Sequence, residues 1–388
     1  MIPRIRHLET ARGLLERHPV VAIIGARQVG KTTLAQALAA GEDGVTTFDL
    51  EDPTDQARLA DPMLALRPLS GLVVLDEIQR QPDLFRVLRV LADQSEKDHQ
   101  KRRFLILGSA SPELLRQTSE SLAGRIVYHE LPGFRVEEVG AERADTLWLR
   151  GSFPRSFLAE GDGASAEWRR AFIQTFLQRD LPQLGVNIAS ATMGRFWTML
   201  AHYHGQLWNA SDLARAFGVS DTTVKRYLDL LTSTFVVRQL QPWHENLKKR
   251  QVKSPKVYLS DSGLLHSLLN LDTARDLEGH PKVGASWEGF AMAEVIARLG
   301  ARPDECFFWA THAGAELDLL VTHGRRRLGF EFKRTSAPKT TRSMHHALRD
   351  LKLDRLDVVH PGATTFPLAD DIRALSFSRL HEDLDPLA

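Results

Sequence analysis

Three short apolar runs in the first third of the chain, ahead of a strand-like stretch at Ile126–Leu131, set its reading frame: Val20–Ile24, Leu72–Leu75 and Phe104–Leu107. Each is too short for a helix and lacks the alternation of a half-buried strand, which is the pattern of strands buried on both faces of a parallel sheet. A helix-forming run, Leu34 to Ala40, follows the first of them. After a break near Pro132-Gly133 and a bridging stretch to about Arg150, the pattern turns helical, with Phe172 and Phe176 spaced along Ala166–Gln178. From Asn209 two helices are predicted. Ser211 would cap Asp212–Ala216, Phe217-Gly218-Val219-Ser220 would turn, and Asp221–Leu231 would carry an apolar stripe of Val224, Tyr227, Leu228 and Leu231. Strand-like runs follow at 235–240 and 257–259. The last third reads helix (from about Ser286), three strands, helix (about Thr341–Leu351) and strand (Leu356–Val359). Within it, period-two alternation puts Glu331 and Lys333 on one face and Phe330 and Phe332 on the other.

What stands between the apolar runs supplies the chemistry. Gly25-Ala26-Arg27-Gln28-Val29-Gly30-Lys31-Thr32-Thr33 is a G-x-x-x-x-G-K-T loop between the first strand and its helix. Backbone N–H groups of such a loop wrap nucleotide phosphates at a helix N-terminus. Lys31 would reach the β and γ phosphates, and the Thr32 hydroxyl would ligate Mg²⁺. The second strand ends in Asp76 and Glu77, suited to ordering the Mg²⁺ water shell and polarising the attacking water. The third ends in Gly108-Ser109-Ala110-Ser111, where Ser109 or Ser111 would sense the γ-phosphate or position the water. Arg125, after Leu122-Ala123-Gly124, is a candidate to act on a nucleotide in cis or on a neighbouring subunit's.

GARQVGKTTL, FDLED (Phe48–Asp52), LVVLDEIQRQPDL, LILGSAS and SLAGR together resemble the AAA-type ATPases of bacteria and archaea that carry a C-terminal domain of unknown function 4143. FLQRDLP (Phe176–Pro182), the region Ser211–Leu231 and KVYLSDSGLL (Lys256–Leu265) continue the resemblance. It implies a P-loop ATPase core with helices on both faces of a parallel sheet, over residues 1–150 with the bridging segment. A helical and winged-helix domain (151–260) and a further α/β domain (261–388) would follow. The class also suggests a homo-oligomer, a ring among the options.

Thr222, Thr223, Lys225 and Arg226 would face outward from the second helix of the pair, as a major-groove reader requires. The hairpin that follows carries Lys248, Lys249, Arg250, Lys253 and Lys256, suited to phosphates. Asp318, then Glu331-x-Lys333, on adjacent strands resemble the PD-(D/E)xK nuclease superfamily, although Leu317 stands where a Pro is usual. That resemblance implies a Mg²⁺ held by Asp318 and Glu331, with Lys333 catalytic and Glu288 auxiliary. The function expected is an ATP-hydrolysing ATPase acting on nucleic acid, DNA first. The alternatives are a nucleotide-switched interaction protein with an inactive nuclease-like fold, and a metal-dependent endonuclease with regulatory ATP.

Composition narrows this only at the edges. The chain has 388 residues, with 50 Lys plus Arg against 49 Asp plus Glu, so nucleic-acid affinity must come from local patches. A single cysteine, Cys306, excludes an intramolecular disulfide. No apolar run approaches a membrane span or a signal-peptide core, making the cytoplasm the expected location. His202 and His204, flanking Tyr203, lack a third ligand nearby and read as structural.

Overall fold

The computed structural model describes residues 2–97, 102–110, 122, 124–184, 188–244 and 252–387. Two compact units emerge, one comprising 1–134 with the short segment 233–236, the other 135–232 with 237–388.

The first unit is an α/β unit built on a five-stranded parallel sheet. Its strands are β1 (Val20–Ile24), β2 (Val45–Asp49), β3 (Gly71–Asp76), β4 (Arg102–Gly108) and β5 (Ile126–Glu130), in the order β2-β3-β4-β1-β5. β1 is buried at every position, and β3 and β4 nearly so, whereas β2 and β5 keep exposed or half-buried positions. Burying a Val, Leu or Ile side chain contributes about 1.5–3 kcal/mol, so the three inner strands dominate the stability of this sheet. The edge strand β2, Val-Thr-Thr-Phe-Asp, carries too little apolar signal to announce itself. The order has a chemical consequence: β4 lies between β1 and β3, so its C-terminal end sits between the phosphate loop and the acids that end β3.

The second unit holds a large mixed sheet. Its strands are β6 (Gln206–Leu207), β7 (Val237–Pro242), β8 (Lys256–Leu259), β9 (Cys306–Ala310), β10 (Glu316–His323), β11 (Arg326–Phe332), β12 (Arg355–His360), β13 (Phe366–Ala369) and β14 (Ile372–Ser376). They run β13-β14-β12-β11-β10-β9-β7-β8-β6. The parallel β7–β9 pairing makes the sheet continuous across residue 260. β13 and β14 escape the sequence pattern; β13 is four residues long and contains Pro367. The helix Arg342–Leu351 buries Met344, Ala347 and Leu351 against Trp309, Leu317, Leu320, Leu356 and Val358.

Several helix limits differ from expectation. The helix 210–217 is capped by Asn209, whose side chain accepts from the Asp212 N–H at 3.3 Å, while Ser211 donates to Asp221 at 2.9 Å. Asn and Ser are both good caps, and here the one a half-turn earlier wins. The next helix runs Asp221–Ser233, after a turn in which Gly218 adopts φ 65°. The helix bearing Glu288 begins at Val283 and ends at Leu299. The helix Asp162–Thr175 passes into a π-helical turn, Phe176–Asp180.

Candidate functional site

The loop Gly25–Gly30 joins β1 to the helix Lys31–Ala39. Gly30, at φ 99°, is that helix's cap residue and carries no side chain into the space in front of it. Gly25, at φ 153°, packs so close to the next strand's exit that a Cβ would lie 2.3 Å from the Leu131 carbonyl oxygen. Gln28 also takes a left-handed conformation (φ 66°), turning the loop in the sense that lets successive N–H groups face one point.

Lys31 is buried, and its ammonium donates to the carbonyls of Gly25 (3.1 Å) and Ala26 (3.0 Å) and to Ser109 Oγ (3.0 Å). Burial pulls its pKa from 10.5 to about 8, against the opposing pull of Glu77 and Asp76. Thr32 Oγ1 donates to Asp76 Oδ2 at 2.7 Å, and the Glu77 backbone N–H donates to the other Asp76 oxygen at 2.8 Å. Burial raises the Asp76 carboxyl above its ordinary range, and those two hydrogen bonds oppose it. Glu77 is in the left-handed region at φ 57°, an uncommon place for a non-glycine residue and one where strain collects at working sites. Its carboxylate accepts from Gln79 Nε2 and, at 3.5 Å, from Ser109 Oγ. Ser109 therefore links Lys31 to Glu77, as the position of β4 between β1 and β3 requires.

Residues 17–140 match the model of an AAA domain, 141–275 that of domain of unknown function 8612, and 283–380 that of domain of unknown function 4143. Curated proteins of Mycobacterium tuberculosis and Mycobacterium bovis, both described as uncharacterized, are each 54% identical to this chain. The matches run over 364 residues, covering 94% of this chain and 81% of each relative. The chain belongs to the family of these two proteins. Among solved structures, the Walker-type ATPase of Pyrococcus abyssi is 14% identical, covering 69% of this chain and 96% of its own, with a TM-score of 0.49. A DnaA replication initiator bound to AMPPCP and single-stranded DNA is 15% identical, covering 60% and 90%, with a TM-score of 0.32.

Gln79, Glu51 and Arg80 of the AAA domain were missed in the sequence. Gln79, in the run after Glu77, bridges the site, with its amide nitrogen on Glu77 and its oxygen 3.4 Å from the Ser109 N–H. Glu51 accepts from Arg27 at 3.0 Å and from Arg80 at 2.6 Å, tying the phosphate loop to the segment after β3. The signals were present in FDLED and DEIQR, but only proximity in the fold gives them roles. Arg125 pairs with Asp93 of the helix Leu84–Lys97, through Nε and through Nη2 at 3.1 Å. Ser111 lies outside the described residues.

In the family's C-terminal region the expected acids do converge. β10 pairs with β11 in a register that sets Asp318 opposite Glu331, and a bulge against β9 between Leu317 and Leu320 adjusts the aim of Asp318. Lys333 Nζ lies 2.8 Å from Glu331 Oε2 and 3.8 Å from Asp318 Oδ2. Tyr258 donates to Glu288 at 2.6 Å. Burial and the charge of Asp318 push the carboxyls up, Glu288 to about 7 and Glu331 to about 8.

Lys256 departs from expectation. It is not a hairpin lysine in solvent but 4% exposed, with its ammonium among Glu288, Glu316 and Asp318. Lys253, Lys225, Arg226 and Thr222 are exposed and Thr223 half-buried, with both threonine hydroxyls bonded to Ser220. Lys248, Lys249 and Arg250 lie outside the described residues. His204 is buried, accepts the Leu259 N–H on Nδ1 at 3.0 Å, and has its pKa driven to about 3 by burial. Among the described residues no helix is long and apolar enough to cross a membrane.

Proposed function

We propose that this protein is an ATP-hydrolysing AAA ATPase acting on nucleic acid, duplex DNA first, and that it works as a homo-oligomer. The observation that carries the ATPase reading is the connected set Thr32–Asp76 and Lys31–Ser109–Glu77, built from three different strand ends. The loop N–H groups of Gly25 to Thr33 hold the phosphates, and Lys31 exchanges its carbonyl partners for β and γ phosphate oxygens. Thr32 Oγ1 and Asp76 Oδ2 are hard oxygens side by side at the helix start, and these two residues would hold Mg²⁺. Mg²⁺ supplies charge neutralisation on the phosphates. Glu77 polarises the attacking water, Gln79 orients Glu77, and Ser109 reports the γ-phosphate to both. Arg125 serves a neighbouring subunit's nucleotide by leaving Asp93.

The nucleic-acid part rests on the helix pair 210–217 and 221–233, read as a winged helix with the β7–β8 hairpin. Its second helix offers exposed Thr222, Lys225 and Arg226, with Lys253 exposed beyond it. The location proposed is the cytoplasm. The test is steady-state ATP turnover with and without duplex DNA, in wild type and in the double variant Lys225→Ala, Arg226→Ala. Stimulation by DNA that fades as salt rises and is weakened in the variant supports the reading. Turnover indifferent to DNA would instead support a nucleotide-switched interaction protein, the reading that the enclosed Lys256 favours for the C-terminal module.

A further inference from the structure

A PD-(D/E)xK module works through a divalent cation on its acids, so the fit of such an ion to this cluster can be tested on the residues themselves. Mg²⁺ requires oxygen ligands at about 2.0–2.1 Å in a nearly octahedral shell. Asp318 is the pivot of the expected set, and both its oxygens are engaged. Oδ2 accepts the Phe332 N–H at 3.1 Å and faces Lys333 Nζ at 3.8 Å. Oδ1 lies 3.5 Å from Lys256 Nζ, which also contacts Glu316 and stands 3.9 Å from Glu288 Oε1. The lysine reaches this place from β8, with Nζ over the Phe308 ring, 5.7 Å from its centroid. Among the described residues no group of three His, Cys, Asp or Glu is placed to hold a metal ion. The acids do not fit the ion that the resemblance implies, because a protein cation already stands among them.

We propose that Lys256 is the resident cation of this cluster: its ammonium takes the place of a divalent ion, and the C-terminal module neither binds such an ion nor cuts phosphodiesters with one. An unpaired buried carboxylate is strongly unfavourable, so buried Asp318, with half-buried Glu288 beside it, needs a positive charge within reach, and exposed Glu316 joins the cluster from its rim. One lysine on a strand of the same sheet supplies it permanently, without dependence on metal supply. Lys333 then serves as the partner of Glu331 rather than as a group that activates water. Removing the ammonium while keeping its stem leaves Glu288, Glu316 and Asp318 without that charge, and a divalent ion becomes the natural replacement.

The experiment counts bound Mn²⁺ by electron paramagnetic resonance on the nucleotide-free full chain. It compares wild type, Lys256→Met, Lys256→Gln, Lys256→Arg and Asp318→Asn, with tryptophan fluorescence confirming that the second unit is folded. Wild type and Lys256→Arg are expected to show no Mn²⁺ that Asp318→Asn removes. Lys256→Met and Lys256→Gln should gain about one Mn²⁺ per chain, lost again when Asp318→Asn is added. Wild-type Mn²⁺ binding abolished by Asp318→Asn would overturn the proposal, and so would a folded Lys256→Met that gains no ion. Should neither substitution of Lys256 fold, a second readout on wild type decides: plasmid nicking in Mg²⁺ or Mn²⁺ that Asp318→Asn abolishes overturns the proposal, and its absence upholds it.

Discussion

Lys31→Met should make the nucleotide-free protein more stable while abolishing its response to ATP. The ammonium of Lys31 is buried with its pKa at about 8 instead of 10.5, chiefly through burial. At 1.36 kcal/mol per pKa unit, holding that charge among the loop's carbonyls costs about 3 kcal/mol at neutral pH. Methionine keeps most of the stem and removes the charge. Against this gain stands the loss of three hydrogen bonds, which leaves two carbonyls and the Ser109 hydroxyl with one partner fewer. Under-satisfied acceptors are less unfavourable than a stranded charge, so a net stabilisation of about 1–2 kcal/mol is expected.

The sign of the pH dependence is a second signature. Between pH 8 and 10.5 the unfolded lysine holds a proton that the folded one has released, so wild-type stability rises with pH and its deficit to the variant shrinks. All seven tryptophans lie outside the first unit, so fluorescence would miss the effect. Amide hydrogen exchange in β1 and β4 at pH 7, with and without ATP and Mg²⁺, reads it directly. Urea melts followed by far-ultraviolet circular dichroism at pH 7 and 9.5 supply the pH arm. Faster exchange in the variant at pH 7, or a wild-type difference that does not change with pH, would refute the argument that Lys31 is held under strain for its ligand.

Two other perturbations test separate parts of the account. Gly25→Ala places a methyl 2.3 Å from the Leu131 carbonyl oxygen, and relieving an overlap of that kind typically costs about 1–3 kcal/mol. Equilibrium binding of a fluorescent ATP analogue should weaken by about tenfold or more with the fold retained, and unchanged affinity would contradict the close packing of the loop. In the second unit, Glu331 takes up its proton at about 8 when folded against 4.5 when free, so the folded state binds more protons between those values and stability falls as pH rises through them. Tryptophan-monitored urea melts from pH 5 to 8 should show that decline in wild type and a flatter profile in Glu331→Gln; identical slopes would argue against a buried, acid-crowded Glu331.

What could be read from the chain follows the distance over which each signal acts. The phosphate loop is legible because its glycines, Lys31 and Thr32 are neighbours in sequence and their geometry is local. The inner strands β1, β3 and β4 are legible because burial on both faces demands unbroken apolar runs, and the edge strand β2 is not, since its exposure permits Thr46 and Thr47. Asp318, Glu331 and Lys333 could be placed together because strand alternation and a short turn bring them into register. Lys256 could not: it closes a basic stretch whose other lysines give it no distinguishing mark in sequence, and the acids that enclose it come from a later helix and strand. Gln79 and Glu51 lie in the same category, with roles made only by the strand order that sets β4 between β1 and β3. Asn209 against Ser211 is a smaller matter, a choice between equivalent caps that packing makes.

Hydrolysis at the end of β3 is read out by phosphate release from ATP by the purified full chain. The account predicts turnover in wild type, none in Lys31→Ala, and in Glu77→Gln a release about a hundredfold slower or more with ATP still bound, as expected when the group that polarises water is lost. Full turnover in Glu77→Gln, or turnover that survives Lys31→Ala, would contradict it.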